Sequence, residues 1–310
     1  VTQLFHQSGI PEDVLLFVPG EGKRVGDALT KNERIAGVAF TGSFKTAKII
    51  QRNLAKRKGS IAALVAETGG QNAMIVDSTA LPEQVVRDVI HSAFNSAGQR
   101  CSALRVLFVQ ADVSSHILKL LKGAMTELVV GEPYLLETDV GPVIDLAAKK
   151  NLQRHINKMH KSADFIYQTP MAPALEQGLY IAPIVFQIKH MTQLDKENFG
   201  PILHVISYRS NELDEVIDQI NQSGYRLTLG IHSRNRTFYE YIDKRVNVGN
   251  VYINRDQVGA TVGVHAFGGA GFSGTGPKAG GPNYLMRFAS ERSRCINTSA
   301  IGGNTQLLSM

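Results

Sequence analysis

The sequence predicts an α/β fold built on a mostly parallel sheet covered on both faces. Three observations lead there. Segments with apolar residues at helical spacing alternate with short apolar runs along most of the chain. Those runs are apolar nearly throughout, as strands buried on both faces are. And 310 residues at 43% apolar can bury a substantial core, as one large domain or two ordinary ones.

The elements follow in order. "VTQLFHQSGIP" reads as helix ended by Gly9 and Pro11. "DVLLFVPG" reads as a short strand stopped by Pro19-Gly20. "KRVGDALTKN" is helical, "IAGVAFTGS" a strand, and "KTAKIIQRNLAKRK" a helix whose closing cations suit the negative end of its dipole. "IAALVAETGG" and "NAMIVD" are buried strands joined through a glycine turn. "LPEQVVRDVIHSAFNSAG" is a helix opened by Pro82 and Glu83. "LRVLFVQ" is a strand, "SSHILKLLKGAMTEL" a helix begun by serine, and "AAKKNLQRHINKMHKSA" another helix. "LYIAPIVFQI" and "ILHVISY" are strands, while "ELDEVIDQINQ" and "RTFYEYIDKRV" are helices. From about residue 255 the chain is dense in glycine, which suits a loop that bends sharply or approaches something closely. The small, apolar tail "CINTSAIGGNTQLLSM" is expected to pack on a neighbour.

Composition excludes collagen, a disulfide scaffold and wholesale disorder. No apolar run reaches the roughly 18 to 20 residues that cross a bilayer. The opening residues give no argument for export. Two cysteines, Cys101 and Cys295, cannot build a disulfide framework, so a reducing, cytoplasmic location is expected. The net charge of +6 suits an anionic cofactor or substrate, or scattered solvated cations. A nucleic-acid partner is not expected, because no aromatic side chains interleave with the basic ones. The first residue is Val1, already within a helical pattern, so the sequence reads as a piece of something longer.

Cys101 follows a helix and a glycine and precedes a strand, a junction where rigid flanks place reactive side chains. It is either a nucleophile, if local dipoles or a base favour its thiolate, or a buried small hydrophobe. Glu67 ends an apolar strand and is followed by two glycines. Carboxyl ends of strands are the usual place for function in an α/β sheet, and burial would raise its pKa as a general base requires. It could equally pair with a nearby cation. In "FTGSFKTAK", Gly42 and Ser43 stand between strand and helix, suited to a phosphate at the helix start or to plain capping. In "ENFGPIL", Glu197 could hydrogen-bond ribose hydroxyls and Phe199 pack a flat ring, or the segment could be a charged turn. The nine histidines show no zinc spacing and there is no C-x-x-C, so no metal is expected. No G-x-S-x-G elbow supports a serine hydrolase.

In this order, "FTGS", "AETGGQN", "GQRCSALR", "ENFGPIL" and "FGGAGFSGTG" resemble the aldehyde dehydrogenase superfamily over nearly the whole chain. Longer stretches, including "SGTGPKAGGPNYLMRF" and "NTSAIGGN", are similar to its L-glutamate γ-semialdehyde (pyrroline-5-carboxylate) dehydrogenases, as found in bifunctional proline-catabolic enzymes. The resemblance implies an incomplete Rossmann-type NAD-binding domain over residues 1–68, lacking its upstream strands. It implies an α/β catalytic domain over 69–255 and a Gly-rich substrate loop and tail over 256–310. Cys101 would attack the aldehyde and Glu67 activate water. Gly42 and Ser43 would face the NAD pyrophosphate, with Glu197 and Phe199 at the nicotinamide ribose and ring. Ser102, Gly259 and Ala260 would bind the substrate carboxylate, and Phe267 would line the aldehyde pocket. An FAD-bearing proline dehydrogenase domain would lie upstream, in a homo-oligomer or a protein peripheral at the membrane.

Three departures stand out. Phe44-Lys45 replace the usual Thr-Glu, Ala266 replaces a usual proline, and the family's upstream asparagine and lysine have no counterpart, so little activity is expected of these residues alone. The alternatives are a dehydrogenase for another aldehyde and a non-catalytic assembly fragment.

Overall fold

Most of the strands lie in two sheets, one parallel and one parallel but for an edge strand, and the four residues 68–71 join one to the other. The computed structural model describes residues 1–297 and Gln306. The stretch "NTSAIGGN" and most of the apolar tail therefore lie outside the described residues.

The small sheet pairs β1 (Gly37–Thr41) with β2 (Ala63–Glu67) in parallel, Thr41 opposite Glu67. It is preceded by the short helices α1 (Thr2–Gln7) and α2 (Asp27–Lys31). Helix α3 (Phe44–Lys56) makes the crossover. Ser43 starts it by accepting the Thr46 N–H at 3.2 Å, the exchange an N-cap serine makes for an orphan donor. Residues 13–20, expected as a short strand, instead form turns and coil. Apolar content alone does not make a strand: no described segment pairs with this one, and Leu16 and Phe17 stay 70% and 75% exposed.

The large sheet uses β3 (Asn72–Val76), β4 (Leu104–Gln110), β5 (Asp164–Gln168), β6 (Ile184–Gln187) and β7 (Ile202–Tyr208). After the two-residue β8 (Tyr225–Arg226) come β9 (Thr228–His232) and β10 (Asn250–Ile253). Its order is β10-β9-β3-β4-β7-β6-β5, parallel except for β5 at the edge. Strands β3 and β4 sit at its centre with every residue buried, which is why both read as unbroken apolar runs. The predicted glycine turn between "IAALVAETGG" and "NAMIVD" is therefore the passage between two sheets. Strands β5, β9 and β10 were not foreseen. They are short, and β5 is half polar in sequence because it covers an edge.

Helices α4 (Pro82–Phe94), α5 (Ala111–Thr126), α6 (Leu146–Ser162), α7 (Leu213–Gln222) and α8 (Arg236–Asp243) contribute buried apolar side chains to the same core. Helix α5 starts at Ala111, before the serines expected to open it. Gln110 closes the strand by accepting from Ser78 N at 3.1 Å and donating to Asp112 at 2.7 Å, so the helix begins directly after β4. Phe94, Phe108, Phe186 and Met74 are among the largest fully buried side chains. Each stabilises the fold by roughly 1.5–3 kcal/mol through area removed from water.

Among the described residues no helix is long and apolar enough to cross a membrane, and no cluster of His, Cys, Asp and Glu could hold a metal ion. The glycine-rich end returns to the small sheet. Thr275 N–H donates to Ala66 O at 2.9 Å, and β11 (Ala270–Gly271) pairs antiparallel with β8.

Candidate active site

Thr41 and Glu67 end adjacent parallel strands, so the Gly42–Ser43 turn and the Glu67 carboxylate emerge side by side. Gly42 N–H closes the gap by donating to Glu67 O at 3.1 Å. From the other sheet, the segment between α4 and β4 brings Cys101. Its path is bent: Ser96, Ala97 and Gly98 all take left-handed backbone, φ 55°, 52° and 64°. Non-glycine residues there cost on the order of 1 kcal/mol each, and such strain persists only where surroundings hold it.

The holding groups are identifiable. Asn72, at the start of β3 and 3% exposed, donates to Cys101 O at 2.7 Å and Ala103 O at 2.9 Å while accepting Thr228 N–H at 3.2 Å. Gln257 donates to Ser102 O at 3.3 Å. Arg105 donates to Arg100 O at 3.2 Å and Gly200 O at 3.0 Å.

These pieces enclose a cleft of about 800 Å³. Its lining includes Cys101, Glu67, Gly42, Ser43, Glu197, Phe199, Ser102, Ala260 and Phe267, all singled out from sequence. Gly259 differs. It lies between the lining residues Val258 and Ala260, and its carbonyl accepts from Arg255 at 3.3 Å. A second cleft of about 950 Å³ shares Ser43, Gly69 and Glu197 with the first.

Burial sets the electrostatics. It pushes Glu67 up to about 7, against the Gly269 N–H at 3.3 Å from Oε2 and the more distant charge of Lys278. Glu67 Oε1 is buried without a partner. Gly268 permits this approach: a Cβ there would lie 2.7 Å from Oε1, and its φ of 157° suits glycine. Burial also pushes the Cys101 thiol up, with Glu197 and then Glu67 adding to it. The backbone N–H groups of Ser102 and Cys101 pull the other way. The resting sulfur is thus a thiol whose anion is already met by two donors.

Glu197 is raised by burial and restrained by Arg105 and by Gly70 N–H, which donates to Oε1 at 3.3 Å. It lies against Gly69 so closely that a Cβ would fall 1.7 Å from Oε2. Gly69 therefore makes room for Glu197 and Gly70 for Asn72, while the Gly70 N–H binds Glu197, pairings no local motif discloses. Sequence reasoning also passed over Asn72, Gln257 and Arg105. The signal for Arg105 was present: a cation inside the otherwise apolar "LRVLFVQ".

The family model described as "Aldehyde dehydrogenase family" matches residues 1–293. The bifunctional protein PutA of Klebsiella aerogenes is 51% identical over 294 residues, 92% of this chain and 22% of that protein. The 1-pyrroline-5-carboxylate dehydrogenase of Geobacillus sp. (strain WCH70) is 33% identical, covering 92% of this chain and 55% of that one. A crystal structure of a bifunctional proline utilization A protein superimposes with a TM-score of 0.92 at 52% identity, over 97% of this chain and 30% of that one. A 1-pyrroline-5-carboxylate dehydrogenase from Thermus with bound NAD gives 0.86 at 32% identity, over 92% and 55%. The chain thus spans about a fifth of the PutA sequence and about half of the shorter dehydrogenase. With a cleft-facing cysteine, a carboxylate near neutrality and a match over almost its whole described length, this chain belongs to the aldehyde dehydrogenase family.

Proposed function

We propose that the protein oxidises L-glutamate γ-semialdehyde to L-glutamate with NAD, as the dehydrogenase part of a longer proline-degrading enzyme. An FAD-bearing proline dehydrogenase would occupy its upstream part, and the location would be cytoplasmic. The observation that carries this reading is the shared cleft: Cys101 and Glu67 line it together, with Glu197 and Phe199.

The residues fit a nicotinamide dinucleotide. Gly69 lacks the Cβ that would displace Glu197, leaving a fixed carboxylate suited to ribose hydroxyls. Phe199, 43% exposed, offers a flat apolar face. The first turn of α3 presents N–H groups without intrahelical acceptors, suited to phosphate. Bound oxidised nicotinamide supplies the hydride acceptor.

The chain's own groups do the rest. Cys101 gives its proton to solvent in the cleft, and the thiolate adds to the aldehyde carbon as the carbonyl π pair moves to oxygen, giving a thiohemiacetal oxyanion bonded to sulfur. The backbone N–H groups of Ser102 and Cys101 lower the thiol against its burial, so they favour negative charge on this sulfur. Loss of hydride from the carbon leaves a thioester. Glu67 then takes a proton from water as the hydroxide adds to the thioester carbonyl, and collapse releases the carboxylate and the thiol. A group at about 7 is half ionised at neutral pH, which suits a base that must accept and later release a proton. Ser102 and the Gly259-Ala260 backbone would hold the substrate carboxylate, and Phe267 the methylenes.

The test is turnover by the intact protein, read as reduced nicotinamide, on glutamate semialdehyde and on a neutral aldehyde of equal length. The expected result is a preference of about tenfold or more in kcat/KM for the acid, the worth of one charge-assisted contact. Equal or better turnover of the neutral aldehyde, or turnover that survives alkylation of Cys101, would overturn the reading.

A further inference from the structure

The Arg105 guanidinium stands apart from every other charged group near the cleft: its side chain is 3% exposed, yet it lines neither cleft. A cation is withdrawn from water at such cost only with several partners. Arg105 has them. One Nη donates to Gly200 O and the other to Arg100 O, the residue before the nucleophile. The latter lies 3.6 Å from Glu197 Oε1, and the guanidinium carbon is 5.4 Å from the Phe199 ring centre. Its own backbone is fixed from behind, since Arg105 O lies 3.0 Å from His204 Nδ1 and His204 Nε2 lies 2.9 Å from His155 Nε2. One planar group therefore touches the cysteine loop on one side and the carboxylate and ring of the cofactor side on the other.

We propose that Arg105 is a positioning residue that sets the cysteine loop and the Glu197–Phe199 pair in one frame, so that nucleophile and cofactor are aligned together. This rests on the reading of Glu197 and Phe199 as nicotinamide-side groups. Arg105 does two things from beneath. It opposes the burial that raises Glu197 and keeps that carboxylate against Gly70, and it places a positive charge beneath the cysteine loop. Glu197 and Glu67 raise the Cys101 thiol and the two backbone N–H groups lower it, while Cys101 in turn acts on the charge of Arg105 and on the neutral Tyr252 phenol. Lysine could retain the charge but not the fork, because its compact ammonium cannot meet two carbonyls and a carboxylate in one plane.

The experiment compares Arg105→Lys, Arg105→Met, Glu197→Gln and the double variant Arg105→Met/Glu197→Gln in the intact protein. Two quantities are read. The first is NAD affinity by direct titration. The second needs no cofactor: the rate of Cys101 alkylation by iodoacetamide against pH, followed on the Cys101 peptide by mass spectrometry. Arg105→Met should weaken NAD binding by about ten- to hundredfold and move the alkylation midpoint to higher pH. Arg105→Lys should restore most of the alkylation profile but little of the NAD affinity. The double variant, which leaves no unpaired buried charge, should fold even where Arg105→Met does not, and should bind NAD no more weakly than Glu197→Gln alone. If Glu197→Gln weakens NAD binding but neither Arg105 variant does, the positioning role is overturned and the Glu197 reading stands. If Glu197→Gln leaves NAD affinity unchanged, both fall. If Arg105→Met leaves the alkylation profile unmoved, the link to the cysteine loop is overturned. If Arg105→Met is unfolded and the double variant binds NAD far more weakly than Glu197→Gln, Arg105 is structural only.

Discussion

The two walls of the cleft are built differently. The cysteine wall rises from β3 and β4, whose residues are all buried, and its loop is fixed by Asn72, Gln257 and Arg105 through hydrogen bonds to four consecutive carbonyls and that of Gly200. The base wall rises from β1 and β2, a two-stranded sheet with exposed and half-buried positions. There Glu67 accepts one 3.3 Å bond and leaves Oε1 unpartnered. The difference matches the chemistry each wall carries. A nucleophile must meet a carbonyl carbon within a narrow approach, so its backbone is over-determined. A base must change protonation state within each cycle, so it is left with few bonds to lose. Changes to the groups that fix the cysteine loop should therefore cost stability and activity together, and a change to the Glu67 carboxylate activity alone.

Glu67→Gln tests the second half of that statement with the largest effect. It removes the proton acceptor but keeps shape and burial. The steady-state rate should fall on the order of 10²–10³, while the first turnover still yields reduced nicotinamide and the acyl group stays on Cys101, visible as added mass. The melting temperature at neutral pH should not drop. The sign of its pH dependence follows from linkage. Glu67 is raised in the fold from 4.5 to about 7, so its contribution is complete below about 4.5 and lost as pH rises through about 7. Glu67→Gln lacks this loss, so it should gain stability relative to the parent between pH 5 and pH 8. A parent activity profile flat through pH 7, or a melting temperature lowered at pH 8, would break the comparison.

Asn72→Leu tests the first half. The side chain is nearly isosteric, but Cys101 O, Ala103 O and Thr228 N–H lose their partner in a buried site. Each unsatisfied group costs about 1–3 kcal/mol, so a loss of about 3 kcal/mol in unfolding free energy is expected after partial relaxation. Activity should fall with it, because the cysteine loop loses its anchor to β3. Urea unfolding and turnover on the same samples check this. A variant that loses activity at full stability would place Asn72 on the chemistry rather than beneath it.

Why the sequence disclosed one wall better than the other follows from what each depends on. Cys101, Glu67, Ser43 and Glu197 stand in short segments at junctions of strongly periodic elements, so both the junction and the residue type were visible. Apart from the Arg105 bond to Arg100 O five residues back, Asn72 and Arg105 act through partners 29 to 156 residues away, and no local pattern records such distances. The same distinction explains the strands. β3 and β4 read directly because two-sided burial makes them apolar throughout. The core of residues 13–20, Val14 to Val18, is just as apolar but lacks a pairing partner among the described residues, and β5 lies at an edge where one face need not be apolar. Glycines 69 and 70 were visible as a turn, but their purpose, room at Gly69 for the Glu197 carboxylate and at Gly70 for the Asn72 amide, was not.

The smallest effect separates capping from cofactor binding at the one turn where the sequence allowed both. Ser43 caps α3 through Thr46, and the same turn lines both clefts. Ser43→Ala should cost about 1 kcal/mol of stability as a lost N-cap. Ser43→Asp should keep the cap and stabilise the helix start, since a carboxylate there is favoured by the dipole. If the turn faces a pyrophosphate, the two variants must diverge in NAD titration: the alanine variant binds slightly more weakly than the parent, while the aspartate variant binds far more weakly through repulsion. Because stability and affinity move in opposite directions for aspartate, no general loosening of the fold can imitate the result. NAD affinity that tracks melting temperature across both variants would reduce Ser43 to a cap, and would leave the base wall with Glu67 as its one chemical group.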